Sequence, residues 1–124
     1  MPRADAVVAA LPTSPTTVDL FDAAMFATMR PDAIFVNVGR GTLVVEQDLI
    51  DTLEQGHLRA AILDVMREEP LTAESPLWST PRLYISPHAA VSLDRYQENA
   101  SALLVENLGR LVAGQGLVNE FLPH

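Results

Sequence analysis

Ala6–Leu11 reads AVVAAL, a continuous apolar run stopped by Pro12. A run without polar alternation suits a strand covered on both faces, as in a parallel sheet. Two runs of the same kind follow, AIFVNV at Ala33–Val38 and AAILDV at Ala60–Val65, and a shorter one, Leu83–Ser86, is halted by Pro87. Between the first pair, Asp22 is placed to cap a short helix over Ala23–Met29, which Arg30-Pro31 ends. Between the second pair, Glu46–Gln55 sets Leu49, Ile50 and Leu53 on one helical face, and Gly56 offers a left-handed stop. Glu68–Thr80 is a loop rich in Glu, Pro and Ser. Beyond it, Tyr96, Ala100, Leu103, Leu104, Leu108 and Leu111 make one apolar stripe on a long final helix that Gly114 ends. Strands alternating with helices predict an α/β fold with right-handed crossovers and a parallel sheet.

The composition narrows the function. At 124 residues, 48% of them hydrophobic, the chain has enough material for one cored domain. Eight Lys and Arg against sixteen Asp and Glu give a formal charge of −8. That sign argues against nucleic acid and against an anionic membrane surface, since both need a basic face. No apolar stretch approaches the ~20 residues that cross a bilayer. Met-Pro-Arg-Ala-Asp leads straight into the first strand without the pattern of a signal peptide, so a cytoplasmic location is expected. The sequence has no cysteine, which excludes disulfides, thiolate nucleophiles and Cys-ligated zinc, and no metal site is expected.

In parallel sheets ligands bind at the C-terminal ends of the strands. The polar residues gather there: Pro12 and Thr13, Asn37 to Gly41, Asp64 to Glu69, and Ser86 to His88. Each has an ordinary reading. Arg40 between two glycines is a turn residue with a solvated charge, Glu68 and Glu69 are loop acids, and His88 is a surface histidine. Asp64 resists this, because a carboxylate ending an apolar strand needs a partner. Together they match a task. Reducing a 2-keto acid needs a cation for the carboxylate, a proton donor for the carbonyl oxygen, and a carboxylate that orients the imidazole and favours its charged form. Arg40, His88 and Glu69 supply one of each. Gly39 and Gly41 would let the backbone approach a flat cofactor ring.

The sequence reads NVGRG at Asn37–Gly41, LDVMREEP at Leu63–Pro70, SPLW at Ser75–Trp78 and SPHAA at Ser86–Ala90, with LPTSPTT at Leu11–Thr17 upstream. In this order and spacing it resembles the C-terminal part of the D-isomer-specific 2-hydroxyacid dehydrogenases. The resemblance implies a partial Rossmann-like, doubly wound parallel sheet of about four strands. Residues 1–91 would be the nicotinamide half of the NAD-binding domain, and 92–124 a helix and tail returning toward a substrate domain. It also implies roles. Arg40 binds the substrate carboxylate and carbonyl, His88 is the general acid–base, and Glu69, which directly precedes Pro70, pairs with it. Pro12, Val38, Gly39, Arg40, Asp64, His88 and Ala90 line the cofactor, with Asp64 on the nicotinamide carboxamide. The cofactor is NAD, with NADP equally open, and the intact enzyme is a homodimer.

The first glycine is Gly39, so the family's phosphate-binding glycine turn is not in this sequence. The 124-residue chain alone is therefore expected to be inactive and to bind NAD weakly. Glyoxylate or hydroxypyruvate, phosphoglycerate and aromatic keto acids all remain open as substrates, and REEPL and ESPLW are similar to the first group. A second reading keeps the scaffold but not the chemistry: a truncated, catalytically silent binding or dimerisation module. Val45 stands where the family commonly has Asp, which predicts a missing helix cap. His57 and His124 read as solvated.

Overall fold

The structure is a computed structural model and describes residues 3–90 and 93–120. It divides into two compact units, Met1–Ala90 and Val91–His124. The first contains, in order, β1 (Ala6–Ala9), α1 (Ala23–Ala27), β2 (Ile34–Asn37), α2 (Glu46–Glu54), β3 (Ala60–Leu63) and β4 (Leu83–Ile85). Short 3-10 turns at Gly41–Leu43 and Pro76–Ser79 interrupt the loops. The sheet runs β1-β2-β3-β4, every neighbour parallel, with Ala9, Asn37, Leu63 and Ile85 on one rung. Strand–helix–strand alternation thus gives the parallel sheet expected of it. All four strands point their C-terminal ends at one edge.

The local signals act as read. The Asp22 carboxylate accepts from the Met25 amide at 2.8 Å and starts α1. Gly56 stops the chain after α2 at φ 74°. Val45 opens α2 with no side-chain cap.

The apolar runs suit strands covered on both faces; among the described residues of the first unit, its own elements cover one of them. Val7, Ala9, Phe35, Asn37, Ala61 and Leu63 point into a core shared with Phe21, Phe26 and Met29 around α1 and with Leu49, Ile50 and Leu53 of α2. Phe26 meets Phe35 edge-on, ring centroids 5.2 Å apart, and Phe21 lies 4.8 Å from Phe35. On the opposite face Val8, Ile62 and Tyr84 are exposed and Val36 is half-buried. α1 and α2 share the same core, so the unit's own helices cover a single side of the sheet. Continuous apolar sequence reports what a strand tolerates, not what covers it.

His57 departs from a solvated reading. It is half-buried, and its Nε2 lies 3.1 Å from the Met29 carbonyl oxygen, tying the end of α2 to the end of α1. His124 lies outside the described residues.

The second unit is α3 (Leu93–Val112) and a short return. Gly114 takes φ 66°, and the tail folds back so that Asn107 exchanges two hydrogen bonds with Val118, at 3.1 and 2.8 Å. Among the described residues no helix is long and apolar enough to cross a membrane.

Candidate active site

Four loops leave the C-terminal edge of the sheet, and each carries at least one of the residues singled out by sequence. After β2 the chain turns sharply. The buried Asn37 side chain closes that turn, accepting from the Gly39 amide at 3.1 Å and donating to the Arg40 carbonyl at 2.9 Å. Arg40 emerges exposed, with Nη1 donating to the Gly39 carbonyl at 2.7 Å.

The flanking glycines are needed, but for a reason other than a cofactor. A Cβ on Gly39 would sit 2.7 Å from the Leu11 carbonyl oxygen, and one on Gly41 would sit 1.9 Å from that of Met66. The loop after β2 is wedged between the ends of β1 and β3, and the chain's own backbone fills the space that a side chain would take.

After β3 the chain supplies two carboxylates with different tasks. Asp64 is buried; its Oδ1 accepts from the Ser86 hydroxyl at 2.5 Å and the Ala89 amide at 2.9 Å, and its Oδ2 from the Ala90 amide at 2.9 Å. Burial by itself would raise its pKa. The three donors, helped by the neighbouring His88, outweigh that and hold it below the ordinary value. Glu69 stands opposite. Its Oε2 lies 2.8 Å from His88 Nδ1, and its Oε1 accepts from the Met66 amide at 2.9 Å. The His88 hydrogen bond is the main reason its pKa is lowered, with the Met66 amide next. Glu68, its exposed neighbour, is not the partner of His88.

His88 itself adopts φ 51°, and its amide donates to the Ser86 carbonyl at 3.0 Å. That left-handed kink is uncommon for a residue with a side chain. It is held by Asp64, which grips the loop on both sides of the histidine.

Arg40, Glu69 and His88 line one hollow of about 290 Å³, together with Thr13, Thr42 and Arg67. The Thr13 and Thr42 hydroxyls bond to each other at 2.8 Å on its wall. A larger apolar hollow of about 690 Å³ lies against His88 on another side, lined by Leu71, Trp78, Ile85 and Pro87. The larger hollow lacks Arg40; the smaller has a cation, a carboxylate and an imidazole, the three groups that keto-acid chemistry requires. Pro12 and Val38 are exposed at the ends of β1 and β2, and Ala90 is exposed two residues beyond His88.

Sequence reasoning missed Asn37, Ser86 and Arg67 as builders of this edge. Asn37 had a readable signal: an amide inside an apolar strand must find partners when buried. Ser86 and Arg67 had none, because their partners Asp64, Thr42 and Val44 are distant in sequence.

The model for the NAD binding domain of D-isomer specific 2-hydroxyacid dehydrogenases matches residues 1–90. Glyoxylate/hydroxypyruvate reductase B of Klebsiella pneumoniae subsp. pneumoniae is 44% identical over 106 residues, 86% of this chain and 33% of the relative. Glyoxylate/hydroxypyruvate reductase A of Serratia proteamaculans is 40% identical over 118 residues, 92% of this chain and 37% of the relative. The chain thus spans about a third of the length of these curated relatives. Among solved structures, a D-isomer specific 2-hydroxyacid dehydrogenase from Xanthobacter autotrophicus Py2, in complex with NADPH and MES, superposes with TM-score 0.85 at 38% identity, over 96% of this chain and 48% of that one. The NADPH-dependent glyoxylate/hydroxypyruvate reductase of Sinorhizobium meliloti, in complex with NADP and sulfate, gives 0.83 at 36% identity, over 93% and 37%.

Proposed function

The chain belongs to the D-isomer specific 2-hydroxyacid dehydrogenases, as part of their NAD binding domain, and from that premise we propose that it forms the reacting half of an enzyme that moves hydride between a nicotinamide dinucleotide and a small 2-keto or D-2-hydroxy acid. The observation that carries this reading is the single hollow shared by Arg40 and the His88–Glu69 pair. Arg40 offers a planar fork that matches a carboxylate bidentately. Glu69 occupies His88 Nδ1, which leaves Nε2 to face the substrate oxygen. In reduction His88 gives its Nε2 proton to the carbonyl oxygen; in oxidation it takes the hydroxyl proton. Glu69 fixes the ring and its tautomer.

The edge suits a nicotinamide ring. Pro12 and Val38 are exposed apolar residues after β1 and β2, and Arg40, His88 and Ala90 are exposed at the same edge, while Gly39, between Val38 and Arg40 in sequence, is buried. A carboxylate has about four acceptor positions. Three on Asp64 are filled, so one on Oδ2 is left for a carboxamide. A nicotinamide held there supplies or accepts the hydride.

Residues 1–91 are then the nicotinamide half and 92–124 the segment leading toward a substrate domain. A cytoplasmic homodimer goes with the reading. Glyoxylate and hydroxypyruvate are the acids to try first, because the relatives' names carry them, with both NADH and NADPH.

The test is coenzyme oxidation by the native protein. Turnover with either acid is expected, and His88→Gln should reduce kcat by at least about a hundredfold. Arg40→Lys should raise KM for the acid, since a point charge replaces the fork. An inactive native protein, or a fully active His88→Gln, overturns the proposal.

A further inference from the structure

We propose that Arg67, braced by Asp19, is the positioning residue that sets the placement of Arg40. The inference rests on the reading of Arg40 as the carboxylate site. Three loops converge on the Arg67 guanidinium. Nη2 donates to the Val44 carbonyl at 3.0 Å and reaches the Thr42 carbonyl at 3.4 Å, and the same nitrogen pairs with the Asp19 carboxylate. The Asp19 amide donates to that Thr42 carbonyl at 2.9 Å. Arg67's own amide is held by the Glu46 carboxylate at 2.7 Å. The Gly41–Leu43 turn, which begins one residue after Arg40, is therefore gripped from the β1 loop and from the β3 loop.

One residue earlier, the loops after β2 and β3 also run close together, leaving no room for a Cβ on Gly41 against the Met66 backbone. Met66 in turn donates to Glu69. Arg67 thus lies where the segment carrying the substrate cation is fastened to the segment carrying the carboxylate partner of the acid–base histidine.

Two observations separate a positioning role from direct substrate contact. Arg67 lines the hollow, but its charge is already answered by Asp19, whereas Arg40 has no carboxylate partner among the described ion pairs. Asp19, which pairs with Arg67, sits at φ 55°, a conformation that Asp and Asn tolerate better than most residues. Both side chains are about half exposed, at 42% and 50%. An exposed pair adds little to folding, so the effect belongs in placement.

The test uses the native protein. Arg67→Ala should raise KM for glyoxylate on the order of fivefold, the scale of one lost ordinary hydrogen bond. The kcat and the KM for coenzyme should stay within about twofold. Millimolar guanidinium should recover part of the loss, and Arg67→Lys should fall between. Asp19→Asn, which keeps the backbone conformation, should raise the same KM by less. If Arg67 met substrate itself, Asp19→Asn would free a cation and lower KM, which overturns the proposal; so does an unchanged KM in Arg67→Ala.

Amide hydrogen exchange at Thr42 and Leu43 without ligand separates the two readings. It should quicken in Arg67→Ala whether or not the protein turns over glyoxylate. An inactive native protein with quickened exchange sinks the enzymatic reading alone. Unchanged exchange sinks the brace.

Discussion

The two units of this chain are built from similar apolar content and use it in opposite ways. In residues 3–90 the apolar side chains converge: Phe26, Phe35, Leu43, Leu49, Leu53 and Leu58 have no exposed surface. In residues 93–120 they do not. Tyr96, Leu104, Leu108 and Leu111 form the stripe expected from their spacing, yet each is more than half exposed. α3 is held within its own unit by hydrogen bonds instead, through its ladder and the Asn107–Val118 clasp. The contrast separates two things that hydrophobic periodicity mixes. A stripe specifies the helix and the face it offers; only a second element makes that face a core.

The sharpest way to break the contrast is to truncate one large side chain in each unit. Phe35→Ala should cost about 4 kcal/mol, since the ring is fully enclosed between Phe21 and Phe26. Leu108→Ala, on the exposed stripe, should stay within about 0.5 kcal/mol. Urea unfolding followed by Trp78 fluorescence reads the first and far-ultraviolet circular dichroism the second. Equal effects would erase the distinction between the units.

A paired glycine test follows, of smaller size. Gly41→Ala drives a methyl into the Met66 carbonyl and should cost about 3 kcal/mol. Gly109→Ala, inside α3 with nothing within 4 Å of the new methyl, should stabilise the helix by about 0.5–1 kcal/mol. The same substitution thus changes sign between units, which thermal melts of both variants would show.

The smallest effect is in acid. Asp64 and Glu69 both have pKa values lowered by folding. Their contribution is fully present above the unfolded carboxylate values of about 4 and is lost as pH falls through the lowered folded ones. Acid titration of the 3–90 unit should therefore steepen below about pH 4, and Glu69→Gln should flatten part of that limb. A Glu69→Gln titration superimposable on the wild type would show that the His88 contact contributes nothing there.

Most of the fold was legible because its signals are local. The strand runs, the Asp22 cap and the Gly56 stop each depend on neighbours within a few residues. So does the spacing of the final helix. What covers the sheet was not legible, since AVVAAL reads the same whether one face or both are packed. The candidate site divides along the same line. Arg40, Glu69 and His88 stand out because their residue types and order match a chemical task, and Glu69 stands apart from Glu68 by its place before Pro70. Asp64 also stood out as needing a partner, but the pairings of the supports did not. Asp64 to Ser86 spans 22 positions and Arg67 to Asp19 spans 48, and nothing in either residue's immediate surroundings names its partner.

Asp64 grips the chain before His88 through Ser86 and after it through Ala89 and Ala90. The histidine is the crown of an arch with both feet fixed. The conformational entropy of fixing such a loop is spent when the chain folds, not each time a substrate arrives. On the proposed function, Nε2 waits at a set point, and any closing motion that brings substrate to it is made by the parts that approach His88, while the arch stays still.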